Sequence, residues 1–346
     1  MSILSKGYQA RQDRRRYLER TLGTLAALGV LYWLGINFAK SPSQFFQASL
    51  IGLSNGVLYA LIALGYTLVY GIIELINFAH GDLFMLGTVF SANFISVWFG
   101  KSHTGLAALG IFAACLVAVM TFGATINVGI ERFAYRRLRR APKLAPLITA
   151  VGMSFILQFI GLHWNGSGQK TWNSILPSGQ IKISSVTIPY TTVISVAITV
   201  PLLVLMSWIV SRTRQGKAMR ATAQDQDAAR LMGINVNRTI SFTFALGGAL
   251  AGAAGLIFQQ TRGLTSYNLG YQLGLIAFTS AVMGGIGNLQ GAVLGALLIG
   301  LIQGLNDGLP IGLGQQWSQT VVFSILILLM AFKPTGLLGK TVTEKV

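Results

Sequence analysis

Charged side chains are scarce in this sequence: they make up 10% of its 346 residues, where an ordinary soluble domain carries roughly 25%. A soluble protein of this size needs a charged surface, so most of the chain is built for a membrane rather than for water. Cysteine occurs once, as Cys115 inside an apolar run. That excludes an intramolecular disulfide framework and a cysteine-based metal site, and leaves a small core residue. Histidine occurs three times, and His103 and His163 fall at the ends of apolar runs on the side opposite His80, so no metal site is expected. There is no His-Glu-x-x-His pair, and an intramembrane metalloenzyme of that kind would need such a constellation.

What the chain has in excess is apolar residues, 53%, and glycine, 41 copies. Glycine is common in transmembrane helices because it lets backbones approach closely. The net charge of +17 would point to nucleic acid if the basic residues lined one face of a folded domain. Instead 21 of the 26 Lys and Arg fall in short clusters between apolar runs: six at 1–20, six at 132–143, six at 212–238 and three at 333–345. Such clustering is what the positive-inside rule produces, and it removes nucleic acid as a partner and leaves membrane lipid.

A bilayer core takes about 20 apolar residues per helix. Spans are expected near 21–39, 44–66, 83–100, 105–130, 147–163, 190–210, 240–260, 271–287, 291–306 and 317–333. Ten crossings from an inside N-terminus put 132–143, 211–239 and the C-terminus inside as well. Segment 164–189, with only Lys170 and Lys182, falls outside as a polar loop with room for a short strand pair. The stretch 67–79 is nearly as apolar as a span and 271–306 is rich in glycine, so broken or re-entrant segments are expected near 74–82 and 284–290. The run 21–39 follows a basic leader, as a secretory signal does, but its roughly 19 residues exceed the usual 7–15 of a signal core. It reads as a retained first helix. The fold class is therefore an all-α polytopic membrane protein.

Three ionisable groups crowd into this apolar territory. From Phe45 to Phe99 the acidic and basic side chains are Glu74, His80 and Asp82 alone, and such groups cost about 2.5–3.5 kcal/mol each at bilayer depth, so they often mark a solute route. Asn77, His80, Gly81 and Asp82 stand between two helical runs. Gly81 is suited to a sharp reversal at positive φ, Asp82 to the N-cap of the run Leu83 to Phe99, and Glu74, one helical turn before Asn77, to partnering it. Either the cluster is a structural turn near the inner face, with His80 on a helix C-terminal carbonyl, or it lines a route.

The inside segment "SRTRQGKAMRATAQDQDAARLMGINVNRTISF" has helical character from Ala218 to Met232, a possible start at Thr213 or Thr222 and Gly233 at the C-cap position. Ala221, Ala228, Leu231 and Met232 form a stripe interrupted by Asp225, with Arg220, Asp227 and Arg230 on other faces. Its small residues and mixed charge favour a partner protein's groove over lipid headgroups. Further on, "MGGIGNLQGAVLGALLIGLIQG" spaces Gly287, Gly291 and Gly295, and also Gly300 and Gly304, four apart, the pattern of close helix contact. No Gly-Lys-Ser/Thr directly follows that run, so it is not a nucleotide loop. Gly285, Gly287 and Asn288 are candidates for a hinge or a polar path.

Five blocks, "GYTLVYGIIELINFAHGDLFMLG" (65–87), "IERFAYRRLRRAPKLAPLITAVGMSFILQ" (130–158), "GKAMRATAQDQDAARLMGIN" (216–235), "AFTSAVMGGIGNLQGAVLGALLIG" (277–300) and "KPTGLLG" near the end, resemble in order and spacing the permease subunits of branched-chain amino acid ABC importers. The resemblance divides the chain into a basic extension with a first helix, 1–40, and a permease domain, 41–346, that carries a cytoplasmic coupling loop at 211–239. It implies a non-enzymatic import subunit in the inner membrane of a prokaryote, with both termini cytoplasmic. The implied partners are a second homologous permease, two cytoplasmic ABC ATPases and an external solute-binding protein. No cofactor is implied for this chain; ATP and Mg belong to the ATPases. Ala223, Gln224, Asp225, Arg230, Gly233, Ile234 and Asn235 are similar to the segment that docks into the ATPase, although "TAQD" departs from the Glu-Ala-Ala pattern of other importer families. Permeases for urea or short amides look like cousins and are the alternative. An ion-coupled secondary transporter would use Glu74 and Asp82 for coupling, and the docking-like loop argues against it.

Overall fold

A bilayer offers no partners for free backbone amides, so apolar runs of this length settle as helices. In the computed structural model the described residues are 21–339, apart from 22, 26, 27, 76, 100–105, 140, 143, 178 and 184; the basic segment 1–20 and His103 lie outside them. The apolar helices are α1 (28–40), α2 (Pro42–Ile73), α3 (Ala79–Phe99), α4 (Leu106–Ile130), α5 (Leu144–Asn165), α6 (Tyr190–Arg212), α9 (Val236–Arg262), α10 (Leu269–Gly284), α11 (Leu289–Gly308) and α12 (Ser318–Phe332). Two short polar helices, α7 (Arg214–Gln224) and α8 (Gln226–Leu231), stand between α6 and α9. Among the described residues eight helical segments are long and apolar enough to cross a membrane, and α10 is a shorter apolar helix. The chain is an all-helical, multi-pass membrane protein.

The expected spans correspond to these helices, with one shift of boundary. α2 runs on to Ile73 and is 32 residues long, about 48 Å at 1.5 Å per residue, longer than a 30 Å hydrocarbon core requires. The apolar stretch after residue 66 is therefore the last turns of α2 followed by a break, and it adds no further crossing.

Packing separates inner from outer helices. The most apolar stretches of α2 and α9 are 78% and 72% buried, those of α6 and α12 only 22% and 11%. α4 lies antiparallel along α9, with Gly123 against Gly248 and Val119 against Gly252. α2 lies along α11, with Gly52 and Gly56 against Gly300 and Gly304. The glycine spacing thus serves backbone contact, as expected. Cys115 is fully buried in the main core. α5 and α6 turn apolar side chains such as Phe159 and Val204 outward, toward lipid or another subunit.

The polar loops gather at the two ends of the bundle. At one end, β2 (Gln180–Ile183) pairs antiparallel with β3 (Val186–Pro189), which is the strand pair expected in the loop. The same end holds β1 (Lys170–Thr171) against β4 (Leu264–Thr265). Gln47 exchanges two hydrogen bonds with the backbone of Thr187, at 2.8 and 2.9 Å. α1 is fastened there too: Asn37 accepts from the Ile311 amide at 3.0 Å, and Trp33 donates to the Ile311 carbonyl. The other end carries the basic segments 132–139 and 212–238.

At that basic end α10 reverses into α11 through Gly285 and Gly287, at φ +105° and +89°, values that glycine adopts without strain. Asn288 caps α11 by accepting from the Gly291 amide at 3.1 Å, and its amide donates to the Leu338 carbonyl at 2.8 Å. Leu337 and Leu338 add backbone bonds to Met283 and Gly284, so "KPTGLLG" is a strap over this turn. Asn288→Ala removes the cap and one strap bond. A loss of about 1–2 kcal/mol is expected, read as faster proteolytic clipping near residue 338 in detergent.

Candidate functional site

The polar island lies inside the bundle. Asn77 accepts from the Tyr135 hydroxyl at 2.9 Å and donates to Asn127 at 3.4 Å, and Asn127 donates to the Phe244 carbonyl at 2.7 Å. Phe244 is eight residues inside α9 from Val236, which places this network roughly 12 Å in from the basic end of that helix. α3 accordingly begins inside the bundle rather than at its basic end.

Three expectations for this island are corrected. Asp82 is not an N-cap: α3 starts at Ala79, with the His80 amide bonded to the Asn77 carbonyl at 3.0 Å. Asp82 sits in the first turn, where the helix dipole favours an anion, and its carboxylate accepts from the Ser154 hydroxyl at 2.5 Å. Gly81 is helical rather than at positive φ. It is needed because α10 passes against it: a Cβ there would lie 2.8 Å from the Cα of Gly274. Glu74 does not partner Asn77. It is exposed and caps the C-terminus of α2 in the left-handed conformation, φ +52°, a place usually given to glycine or asparagine.

His80 is fully buried against Tyr66, ring centroids 4.7 Å apart, in space left by Gly65. Neither of its ring nitrogens meets a hydrogen-bond partner among the described residues. Among the described residues no group of three or more His, Cys, Asp or Glu side chains is placed to hold a metal ion.

Asp82 also leads to a cleft that the sequence did not single out. Gln158 donates to the Ser154 hydroxyl at 3.2 Å, and both side chains line a cavity of about 470 Å³ between α2, α5 and α10. Ser154 and Gln158 are four apart in an otherwise apolar helix, and that polar stripe is the signal that was available.

The basic end carries the second candidate element. Thr213 caps α7, accepting from the Gly216 amide at 3.0 Å, and Asn235 caps α9, accepting from the Arg238 amide at 3.0 Å. The expected continuous helix from Ala218 to Met232 is broken at Asp225, whose carboxylate accepts from the amides of Asp227 and Ala228 at 2.8 and 3.0 Å and starts α8. Ala223 and Ile234 are half-buried, Gln224 and Asn235 exposed, Arg230 pairs with Asp227 at 2.6 Å, and Gly233 ends the segment at φ +79°. Met219 and Ala229 anchor the hairpin to the bundle, while Leu231 and Met232 are 89% and 82% exposed at the C-terminal end of α8.

A third feature went unread in the sequence. α4 continues into a π turn, Glu131–Tyr135, and a 3-10 turn, Arg136–Leu138. Buried Glu131 accepts from Arg136, Arg139 and Ser241, and Arg139 reaches Asn237 at 2.7 Å. The α4 end is thereby tied to the first turns of α9, just beyond the α7–α8 hairpin.

The sequence is similar to those of known transport proteins. The family described as "Branched-chain amino acid transport system / permease component" matches residues 49–331. The chain is 39% identical over 309 residues to the high-affinity branched-chain amino acid transport system permease protein BraD of Pseudomonas aeruginosa, covering 88% of this chain and 98% of that one. It is 35% identical over 307 residues to the corresponding LivH of Escherichia coli, covering 87% and 98%. A more distant similarity, 28% over 152 residues, reaches the autoinducer 2 import system permease protein LsrC of Salmonella paratyphi B, covering 43% and 42%. With its bundle, its breaks and nearly the whole length of two relatives accounted for, the chain belongs to the family of branched-chain amino acid transport system permease components.

Proposed function

We propose that this chain is a permease subunit of an ABC importer that carries branched-chain amino acids into the cytoplasm of a prokaryote across its inner membrane. Two separate ATPases hydrolyse ATP, a second homologous permease completes the channel and an external binding protein delivers the solute. The basic end is cytoplasmic, which puts both termini inside, and the β-strand end faces the binding protein. The observation that carries this reading is the α7–α8 segment: two large apolar side chains stand exposed at the C-terminal end of a capped, anchored element. Lone apolar tips of this kind gain by burial in a partner, about 1.5–3 kcal/mol per side chain.

Ala223, Gln224, Asp225, Arg230, Gly233, Ile234 and Asn235 give that hairpin its shape, and the ATPase groove receives it. Closure of the ATPase dimer then pushes the hairpin, and through the α6 and α9 ends it switches the bundle between outward-open and inward-open states. Glu74, Asn77, His80, Gly81 and Asp82 are the residues proposed to line or hinge the route, and Gly285, Gly287 and Asn288 hold the neighbouring reversal.

The test is the double variant Leu231→Asp, Met232→Asp in the complete importer reconstituted with its binding protein. Leucine-stimulated ATP hydrolysis is expected to fall at least tenfold, while the permease pair still purifies as a folded complex. Unchanged stimulation removes the hairpin from the coupling. Stimulation of the unaltered complex by urea and not by leucine, isoleucine or valine overturns the substrate assignment.

A further inference from the structure

We propose that the cleft between α5 and α10 is a binding site for the ammonium group and apolar side chain of a neutral α-amino acid in transit, with Asp82 as the residue that positions and charges it. The inference rests on the importer reading above and adds to it a place and a chemistry of recognition.

Its volume, about 470 Å³, falls within the roughly 300–1,000 Å³ of small-molecule sites. The wall is of two kinds. Tyr66, Phe78, Phe155 and Tyr271 supply an aromatic surface, and Ser154 and Gln158 supply a polar patch on α5. Behind the patch lies Asp82, 1% exposed. Because the Ser154 hydroxyl donates its proton to Asp82 and takes one bond from the Gln158 amide, its remaining lone pair is an acceptor. An acceptor backed by a carboxylate is a seat for a cation that donates hydrogen bonds.

The other carboxylate oxygen, Oδ1, is buried and meets no hydrogen-bond partner among the described residues. It lies beside Gly270, where a Cβ would come within 2.6 Å of it, and Gly270 is itself part of the cleft lining. No Lys or Arg of the described residues pairs with Asp82. A carboxylate placed at depth with one oxygen unsatisfied is costly by itself, and a passing ammonium group offsets that cost. A zwitterionic amino acid with an aliphatic side chain fits both walls, whereas urea brings neither a cation nor an apolar chain. The cleft opens past Phe155 and Tyr271, both 61% exposed, so it needs a second helical wall to seal it from lipid. In the proposed complex the other permease provides that wall.

The experiment uses the full complex of permease pair and ATPases in nanodiscs, without binding protein, and a Gln158→Cys chain; native Cys115 is fully buried. N-ethylmaleimide labelling of position 158 is expected to slow at least fivefold in millimolar leucine. It is expected not to slow in 2-hydroxy-4-methylpentanoate, which has the same shape with hydroxyl in place of ammonium. Adding Asp82→Asn is expected to abolish the leucine protection, and in reconstituted importer Asp82→Asn alone is expected to lower leucine uptake at least tenfold. Equal labelling with and without leucine overturns the site, as does equal protection by the hydroxy acid or leucine uptake by Asp82→Asn within twofold of the unaltered protein. If Asp82→Asn does not assemble, the two-ligand comparison in the Gln158→Cys chain decides by itself. Failure of the importer reading is visible separately, as an unaltered importer that takes up no branched-chain amino acid.

Discussion

Replacing Gly300 with leucine is expected to abolish recovery of folded permease from membranes. α2 and α11 touch backbone to backbone along three turns. A Cβ on Gly300 would lie 2.5 Å from the carbonyl oxygen of Gly52, one on Gly52 would lie 2.7 Å from that of Gly300, and one on Gly304 would lie 2.6 Å from that of Ala48. Side chains can rotate away from an intruder; these neighbours are main chain and cannot. The helices would have to separate along the whole seam, and in lipid, where apolar burial between helices gives no drive, close packing is much of what joins them. Overpacking a core costs about 1–3 kcal/mol when side chains can adjust, and a typical reserve is only about 5–15 kcal/mol. Gly300→Ala is expected to lower the thermal midpoint in detergent by several degrees, and Gly300→Leu to leave at least tenfold less monodisperse protein. Gly129, around which a Cβ would meet nothing within 4 Å, is the control. A Gly129→Leu chain as poorly recovered as Gly300→Leu would mean that leucine itself, and not the seam, is at fault.

That seam was legible in the sequence, because its cause is local: glycines four apart on an apolar helix have one face in common. The helices were legible for the same kind of reason, since a run of apolar residues is read without knowing what surrounds it. So were Thr213 and Gly233, whose roles are set by the few residues on either side of each.

Most of what failed to read depends on a partner far along the chain. Asp82 follows glycine and precedes an apolar run, which is the local pattern of a cap. Its carboxylate instead found Ser154, 72 positions away, and the helix began a turn earlier. Glu74 and Asn77 are a helical turn apart only if the helix continues. It stops at Ile73, Glu74 takes φ +52°, and the two side chains part, leaving Asn77 to Tyr135 and Asn127. Asp225 broke the helix expected from Ala218 to Met232 through bonds to amides two and three residues on; that signal is local and was present, an aspartate followed by Gln226 and Asp227 at the start of a helical turn. The α5–α10 cleft depends on which of ten similar helices are neighbours, and hydropathy does not encode that.

Glu131 is the clearest instance of an unread long-range role, and its removal has the second large expected effect. The side chain is fully buried, and its two oxygens are shared among Arg136, at 3.1 and 3.0 Å, Ser241, at 2.7 Å, and Arg139. Taking away the carboxylate leaves two guanidinium groups facing each other, Arg139 with a side chain only 11% exposed, without the charge that holds them. Breaking a buried pair from one side costs about 3–5 kcal/mol, much of it the penalty of the orphaned partner. Glu131→Ala is therefore expected to lower the thermal midpoint substantially, Glu131→Gln less because an acceptor oxygen remains, and the double variant Glu131→Ala, Arg139→Ala to recover part of the loss. The cluster ties the end of α4 to α9 next to the α7–α8 hairpin, so leucine-stimulated ATP hydrolysis in the Glu131→Gln importer is expected to fall by more than its stability does. A Glu131→Ala chain that melts within a degree of the unaltered protein would show that Arg136 and Arg139 find water or headgroup partners of equal worth, and that the helix ends are held together by apolar packing alone.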